Sequence, residues 1–267
     1  MQEELEVIMK IPIYQVDAFT SKLFCGNPAA VCPLKQWLDM ELMQNIAAEN
    51  NLSETAFFVS KGDHFELKWF TPKVEINLCG HATLASSHVI FNHLGHKGDT
   101  IEFQTLSGKL VASRERDLIS LNFPAYHAAP TEMPDGLFES LKKEPQQVFK
   151  ARDFLALFGD EDDILTMDPD FEKMKHVDSH GIIVTAPGKK CDFVSRFFAP
   201  GLGINEDPVT GSAHSMLIPF WAERLKKKSL HAIQLSQRRG ELFCEHLGER
   251  VKMSGRAVTF FTGEILL

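Results

Sequence analysis

The chain has 267 residues, 44% of them apolar and 24% charged, with a net charge of −8. That composition supports a real core in one large domain or two ordinary ones, and its acidity disfavours nucleic acid or an anionic membrane as partner, since either wants a basic patch. Five scattered cysteines with no Cys-x-x-Cys pair point to a reducing compartment, and the acidic N-terminus (no signal peptide) and the lack of a run of roughly 18 apolar residues lead to the expectation of a cytoplasmic protein.

In chain order, "KIPIYQVDAF" (10–19) is strand-like and leads to "NPAAVCPL" (27–34). Leu42, Ile46 and Ala47 stand at helical spacing within 39–50. Strands follow at 55–60 and 65–70, then a Pro-containing loop, a helix over 81–94, and further strands within 101–123. "PAYHAAPTEMP" reads as a linker near a boundary at 124–146. Beyond it the order recurs: strand-like 146–158, helical 168–175, strands 181–186 and 191–198, a helix over about 211–226, and strands within 231–255. The acidic stretch from Asp160 to Asp170 reads as a solvated loop or helix start.

The recurrence extends to residues. A slide of 128 positions lays Phe70 on Phe198, Pro72 on Pro200, Ile76 on Ile204, Asn77 on Asn205, and Cys79 on Asp207. A shift of 126 lays Glu54 on His180. The helices at 82–94 and 213–225 are apolar on most faces, the mark of a buried helix. The expected fold is therefore α+β, with two related halves, each a curved, mostly antiparallel sheet around a central helix. The halves are expected over 10–128 and 129–258.

Each central helix begins just after a special loop. A helix start exposes unpaired N–H groups and a positive dipole end, which suits a carboxylate. Gly80 and Gly211 allow close backbone approach, and Thr210 and Ser212 are caps or ligand contacts. Facing helix starts would hold a small anionic molecule between Cys79–Gly80–His81–Ala82 and Asp207. Glu54, before an apolar strand, is an acid–base candidate or a turn carboxylate. His81 is a functional histidine or a satisfied helix-start residue. Asp207 is a functional carboxylate or a turn or cap residue, and Asn27 in "GNP" a ligand contact or turn chemistry. Cys79-x-His81 lacks a partner pair for zinc, so no metal site is expected. A thiol nucleophile lacks a readable Cys–His–Asn set.

"DAFTSKLFCGNPAAV" (17–31), "NLSETAFF" (51–58), "WFTPKVEINLCGHATLAS" (69–86), "SRFFAP" (195–200) and "EDPVTGSAH" (206–214) together resemble the PhzF-like phenazine-biosynthesis family, over residues 10–267. The resemblance extends to diaminopimelate epimerase and proline racemase, which use two cysteines as cofactor-free acid and base. It implies a diaminopimelate epimerase-like fold in two pseudo-two-fold halves, a C-terminal strand at 259–267 returning to the first half, and a possible homodimer. It also implies an isomerase without cofactor, with Glu54 shuttling a proton on a small carboxylate substrate and His81 and Asp207 assisting. A single thiol argues against a symmetric two-thiol racemase. An idle ligand-binding or protein-interaction module on the same scaffold is the alternative.

Overall fold

The computed structural model describes residues 9–267; residues 1–8, most of the stretch read above as no signal peptide, lie outside it. The first strand, Lys10–Ala18, sets the layering of its half. Its side chains alternate faces. Val16 and Ala18 face the main core, whereas Ile11 and Ile13 pack on the other side against Met43, Ile46 and Ala47 of the helix Met40–Asn50. The next strand, Asn27–Leu34, splits likewise, Ala29 and Val31 inward and Ala30 and Cys32 outward. A strand covered on both faces reads as a continuous apolar run, and this one is.

The inner face wraps the first central helix, Gly80–Asn92, in which every residue from His81 to Ser87 is buried. The second central helix, Gly211–Leu225, is buried from Ala213 to Ala222. Both lie in one hydrophobic core with Leu84, Ala85, Met216 and Leu217 fully enclosed. Enclosing such a leucine contributes about 1.5–3 kcal/mol.

Strand pairing follows one order in both halves. In the first it runs from Ala257–Leu266 through Lys10–Ala18, Asn27–Leu34, Glu54–Ser60, Phe65–Phe70, Thr100–Thr105 and Gly108–Glu115 to Leu118–Pro124. In the second it runs from Ala129–Thr131 through Gln147–Lys150, Phe154–Leu157, Ile182–Pro187, Phe193–Phe198, Ser229–Gln234 and Gly240–His246 to Arg250–Gly255. The third and fifth pairings are parallel in each, and the others antiparallel. The last strands of the two series pair antiparallel with each other, Ile119 opposite Gly255 and Pro124 opposite Arg250. The first half thus draws on the chain's own end for its outermost strand.

Some elements differ from expectation. Residues 146–158 form a hairpin of two strands, turned at 151–153, and not one strand. The linker holds the strand Ala129–Thr131 and the short helix Leu137–Leu141. The acidic stretch does start helices: Asp160 accepts from the N–H groups of Asp162 and Asp163, and Asp170 from that of Lys173. No helix among the described residues is long and apolar enough to cross a membrane.

Candidate active site

The two central helices meet start to start. A methyl group on Gly80 would lie 3.7 Å from the Cα of Gly211, and one on Gly211 equally far from the Cα of Gly80. The residues before them, Cys79 and Thr210, are extended and give no side-chain cap. Neither first turn carries an acidic residue. The first intrahelical donors are the N–H groups of Thr83 and His214, bonding back to Cys79 and Thr210. The N–H groups of residues 80–82 and 211–213 therefore form two sets of donors with no backbone partner among the described residues, at positive dipole ends, that of Ala82 facing the Cys79 sulfur. Of the two readings of Thr210 and Ser212, caps or ligand contacts, the structure shows no side-chain cap from Thr210. Thr210 donates its hydroxyl to Asp207, and Ser212 lies partly exposed in the first turn.

Around this point stand the titratable groups. Glu54 begins a strand paired in parallel with that of Ala29 and is buried. Its Oε2 lies 3.1 Å from Nε2 of His81, close but not aligned as a hydrogen bond, and neither atom has another partner among the described residues. The other ring nitrogen of His81, Nδ1, lies 3.5 Å from Sγ of Cys79. Burial by itself pulls the His81 imidazole down, but its neighbours outweigh this and hold it well above its ordinary value; with Cys79 a neutral thiol, the charge that does so is the Glu54 carboxylate at Nε2. Burial pushes the Cys79 thiol up, helped by Glu54, so it stays a neutral thiol.

Asn27 connects the two sides. It is fully buried, and its amide donates to Oδ1 of Asp207 (2.9 Å) and to the carbonyl of Val209 (2.9 Å). Those bonds use both amide hydrogens, so the contact to His81 Nδ1 at 3.3 Å adds no third donation. They leave Oδ1 of Asn27 as a buried acceptor with no partner among the described residues. Asp207 accepts from Thr210 through Oδ2 at 2.5 Å. Burial raises its carboxyl to about 6, against the pull of His81, Thr210 and Asn27.

Asn27 is itself held by a cross-half clamp. Asp17 is buried and accepts from Arg238 at 2.7 Å and from the N–H of Phe24 at 3.0 Å. Arg238 also donates to the carbonyls of Cys25 and Gly26. Gly26 adopts φ +68°, and a Cβ there would lie 2.2 Å from the carbonyl oxygen of Ala18, so only glycine fits the turn that delivers Asn27.

Residues 16–263 match the PhzC-PhzF family, described as phenazine biosynthesis-like protein. The chain belongs to that family. A Pseudomonas aeruginosa protein described as an uncharacterized isomerase is 48% identical over 97% of this chain and 100% of its own. A crystal structure of a PhzF family protein from Enterococcus faecalis superposes with a TM-score of 0.95 at 45% identity, covering 97% of this chain and 100% of the other. A hydroxyproline epimerase from Agrobacterium vitis shares the fold at a TM-score of 0.63 and 10% identity, over 97% of this chain and 91% of its own. The fold is thus epimerase-like, and the PhzC-PhzF chain belongs to an isomerase family.

Within that family frame, the structure brings Glu54, His81, Asp207, Asn27, Cys79, Gly80, Ala82, Thr210, Gly211 and Ser212 to one place. Two counterparts read from the sequence change. The residue before the second central helix is Thr210, as Cys79 is before the first, so Thr210 and not Asp207 is the structural partner of the thiol. The second loop runs six residues from Asn205 to Gly211, the first three from Asn77 to Gly80, and an ungapped slide cannot absorb the difference. Strand register likewise pairs Thr55 with Phe70 and Ile182 with Phe198, so Glu54 corresponds to Gly181. His180 lies outside the site, exposed, between Asp153 (2.9 Å) and Arg152 (2.9 Å). Gln234, Arg238 and Asp17 belong to the surroundings of the site and were not singled out. Asp17 lies in a motif read above, whereas Gln234 and Arg238 give no sequence signal.

Glu54, Cys79 and His81 each bring a donor atom within 4.8 Å of the others, which is the grouping a cation would use. His81 meets its two neighbours through different nitrogens, however. No single lone pair of the ring addresses both. The arrangement suits passage of a proton between carboxylate and imidazole.

Proposed function

We propose that this chain is a cofactor-independent isomerase that moves a proton on carbon in a small carboxylate-bearing substrate. The observation that carries this is the Glu54–His81 pair at 3.1 Å beside two uncapped helix starts. The substrate carboxylate takes the N–H groups of residues 80–82 and 211–213. Glu54 removes the proton and returns it. His81, held as the imidazolium, stabilises negative charge that develops during the step. Asp207, fixed by Asn27 and Thr210, orients the substrate from the second half. Burial strengthens each of these interactions by lowering the local dielectric. The matching pairing orders of the two halves support an internal duplication, with acid–base groups retained unequally.

Hydrogen exchange in heavy water, followed by NMR, tests this reading. Small amino and hydroxy acids, cyclic imino acids and dihydro-hydroxyanthranilate form the panel. Exchange with the wild type that disappears in Glu54→Gln, with ligand binding retained, is the expected outcome. Full exchange in Glu54→Gln would remove Glu54 from the mechanism.

A further inference from the structure

The asymmetry between the halves draws attention to the hydroxyl of Thr210, which occupies the helix-start position that Cys79 holds opposite. A hydroxyl has one hydrogen and two lone pairs, so its direction depends on its neighbours. The deciding neighbour is Gln234, fully buried at the end of the strand Ser229–Gln234. Its Oε1 accepts from the N–H of Thr210 at 2.9 Å. A backbone N–H only donates, so that bond fixes which end of the amide is oxygen. The nitrogen then faces the carbonyl of Asp207 at 2.8 Å and Oγ1 of Thr210 at 3.1 Å. With one lone pair of Oγ1 taken by the amide, its single hydrogen goes to Oδ2 of Asp207.

We propose that Gln234 is a positioning residue of the site: its amide orients the Thr210 hydroxyl so that Asp207 is held as a carboxylate facing the substrate. The inference rests on the isomerase reading for its use, but its geometry stands without it. A proton on Oδ2 of Asp207 would point at a hydroxyl whose own hydrogen has nowhere else to go, because the amide beyond it is also a donor. A proton on Oδ1 would meet the amide of Asn27, whose hydrogens are set by Val209 and Asp207 itself. Both oxygens thus accept, and protonation of either breaks a donor arrangement. The other charged groups acting on Asp207 are His81, which favours the ionised form, and Glu54, which disfavours it along with burial. In the first half, Thr105 ends the strand equivalent to Ser229–Gln234 and bonds instead to the carbonyl of Gly108, so this device belongs to the second half alone.

The test is a carbon-13 titration of the Asp207 side-chain carboxyl in the wild type, Gln234→Met and Thr210→Val, with heavy-water exchange measured on the same samples. Gln234→Met keeps the volume and removes the amide. Thr210→Val keeps the shape and removes the hydroxyl that the amide orients, so it carries the test if Gln234→Met does not fold. In both variants the Asp207 midpoint is expected to move upward, by about one pH unit, equivalent to a roughly tenfold change in proton affinity. The acid limb of the exchange rate should move the same way. An unmoved Asp207 midpoint in a folded variant overturns the inference. A moved midpoint with no exchange from any panel compound, even in the wild type, supports the positioning role and instead rejects the isomerase reading. A fall in exchange with an unmoved midpoint would reduce Gln234 to a packing residue.

Discussion

At the scale of single residues, Asp207 is held at a cost to the fold. Its carboxyl titrates at about 6 in the folded chain, against an ordinary 3.8. Between those values the folded chain keeps a proton that the unfolded chain has lost. Stability therefore falls as pH rises through this window, by at most about 3 kcal/mol, and less in so far as Asp207 keeps some exposure. Asp207→Asn removes the ionisation and nearly keeps the shape. It is expected to lose most exchange activity and to lack the fall in melting temperature that the wild type shows from pH 4 to pH 7.5, while one of the two donors, Asn27 or Thr210, loses its acceptor. Parallel melting curves across that range would show that the buried charge costs nothing. Cys79 calls for the opposite expectation. Its thiol is held neutral by burial and serves as a neighbour of His81. Cys79→Ser keeps a polar atom at Nδ1 and should reduce turnover by no more than about tenfold, in line with one perturbed hydrogen bond. A loss of a thousandfold or more would return the chemistry to the thiol.

At the scale of elements, the two helix starts carry the argument, and the glycines there test it. A methyl on Gly211 would meet the Cα of Gly80 at 3.7 Å, an ordinary contact, so Gly211→Ala should fold with an unchanged or slightly raised melting temperature. The same methyl intrudes on the place assigned to the carboxylate, so KM should rise about tenfold or more with kcat less affected. Unaltered KM would move the carboxylate elsewhere. Both helices were legible in the sequence because enclosure on all sides leaves apolar residues on all faces, as at Leu84, Val89 and Ile90. Glu54, His81 and Asp207 were legible through their motifs. What an ungapped comparison could not read was pairing in space: the three extra residues before Gly211 set Thr210 against Cys79, and one step of strand register set Gly181 against Glu54. Gln234 was hidden for another reason. A single polar residue ending a strand looks like any strand end until the fold encloses it completely.

At the scale of the whole molecule, the halves are joined by more than a linker. Leu118–Pro124 pairs with Arg250–Gly255, making one continuous sheet across the seam. Ala257–Leu266 then crosses back and supplies the outermost strand beside Lys10–Ala18. Gly26 donates to the carbonyl of Arg239, Glu241 to that of Phe19, and Arg238 closes on Asp17. Residues of both central helices share one hydrophobic core. Unfolding either half alone would therefore expose apolar surface of the other and orphan a full row of ladder hydrogen bonds. The expected result is a single calorimetric transition whose van't Hoff and calorimetric enthalpies agree. Arg238→Met should lower that transition without splitting it, because it leaves the Asp17 carboxylate enclosed without its cation, a cost of about 1–3 kcal/mol given the partial exposure of the arginine. The same variant should slow exchange, since the clamp also sets the turn that delivers Asn27 to Asp207. Two resolved transitions in the wild type would mean that the seam is an interface between separately stable units, and the site would then depend on how they meet and not on a shared core.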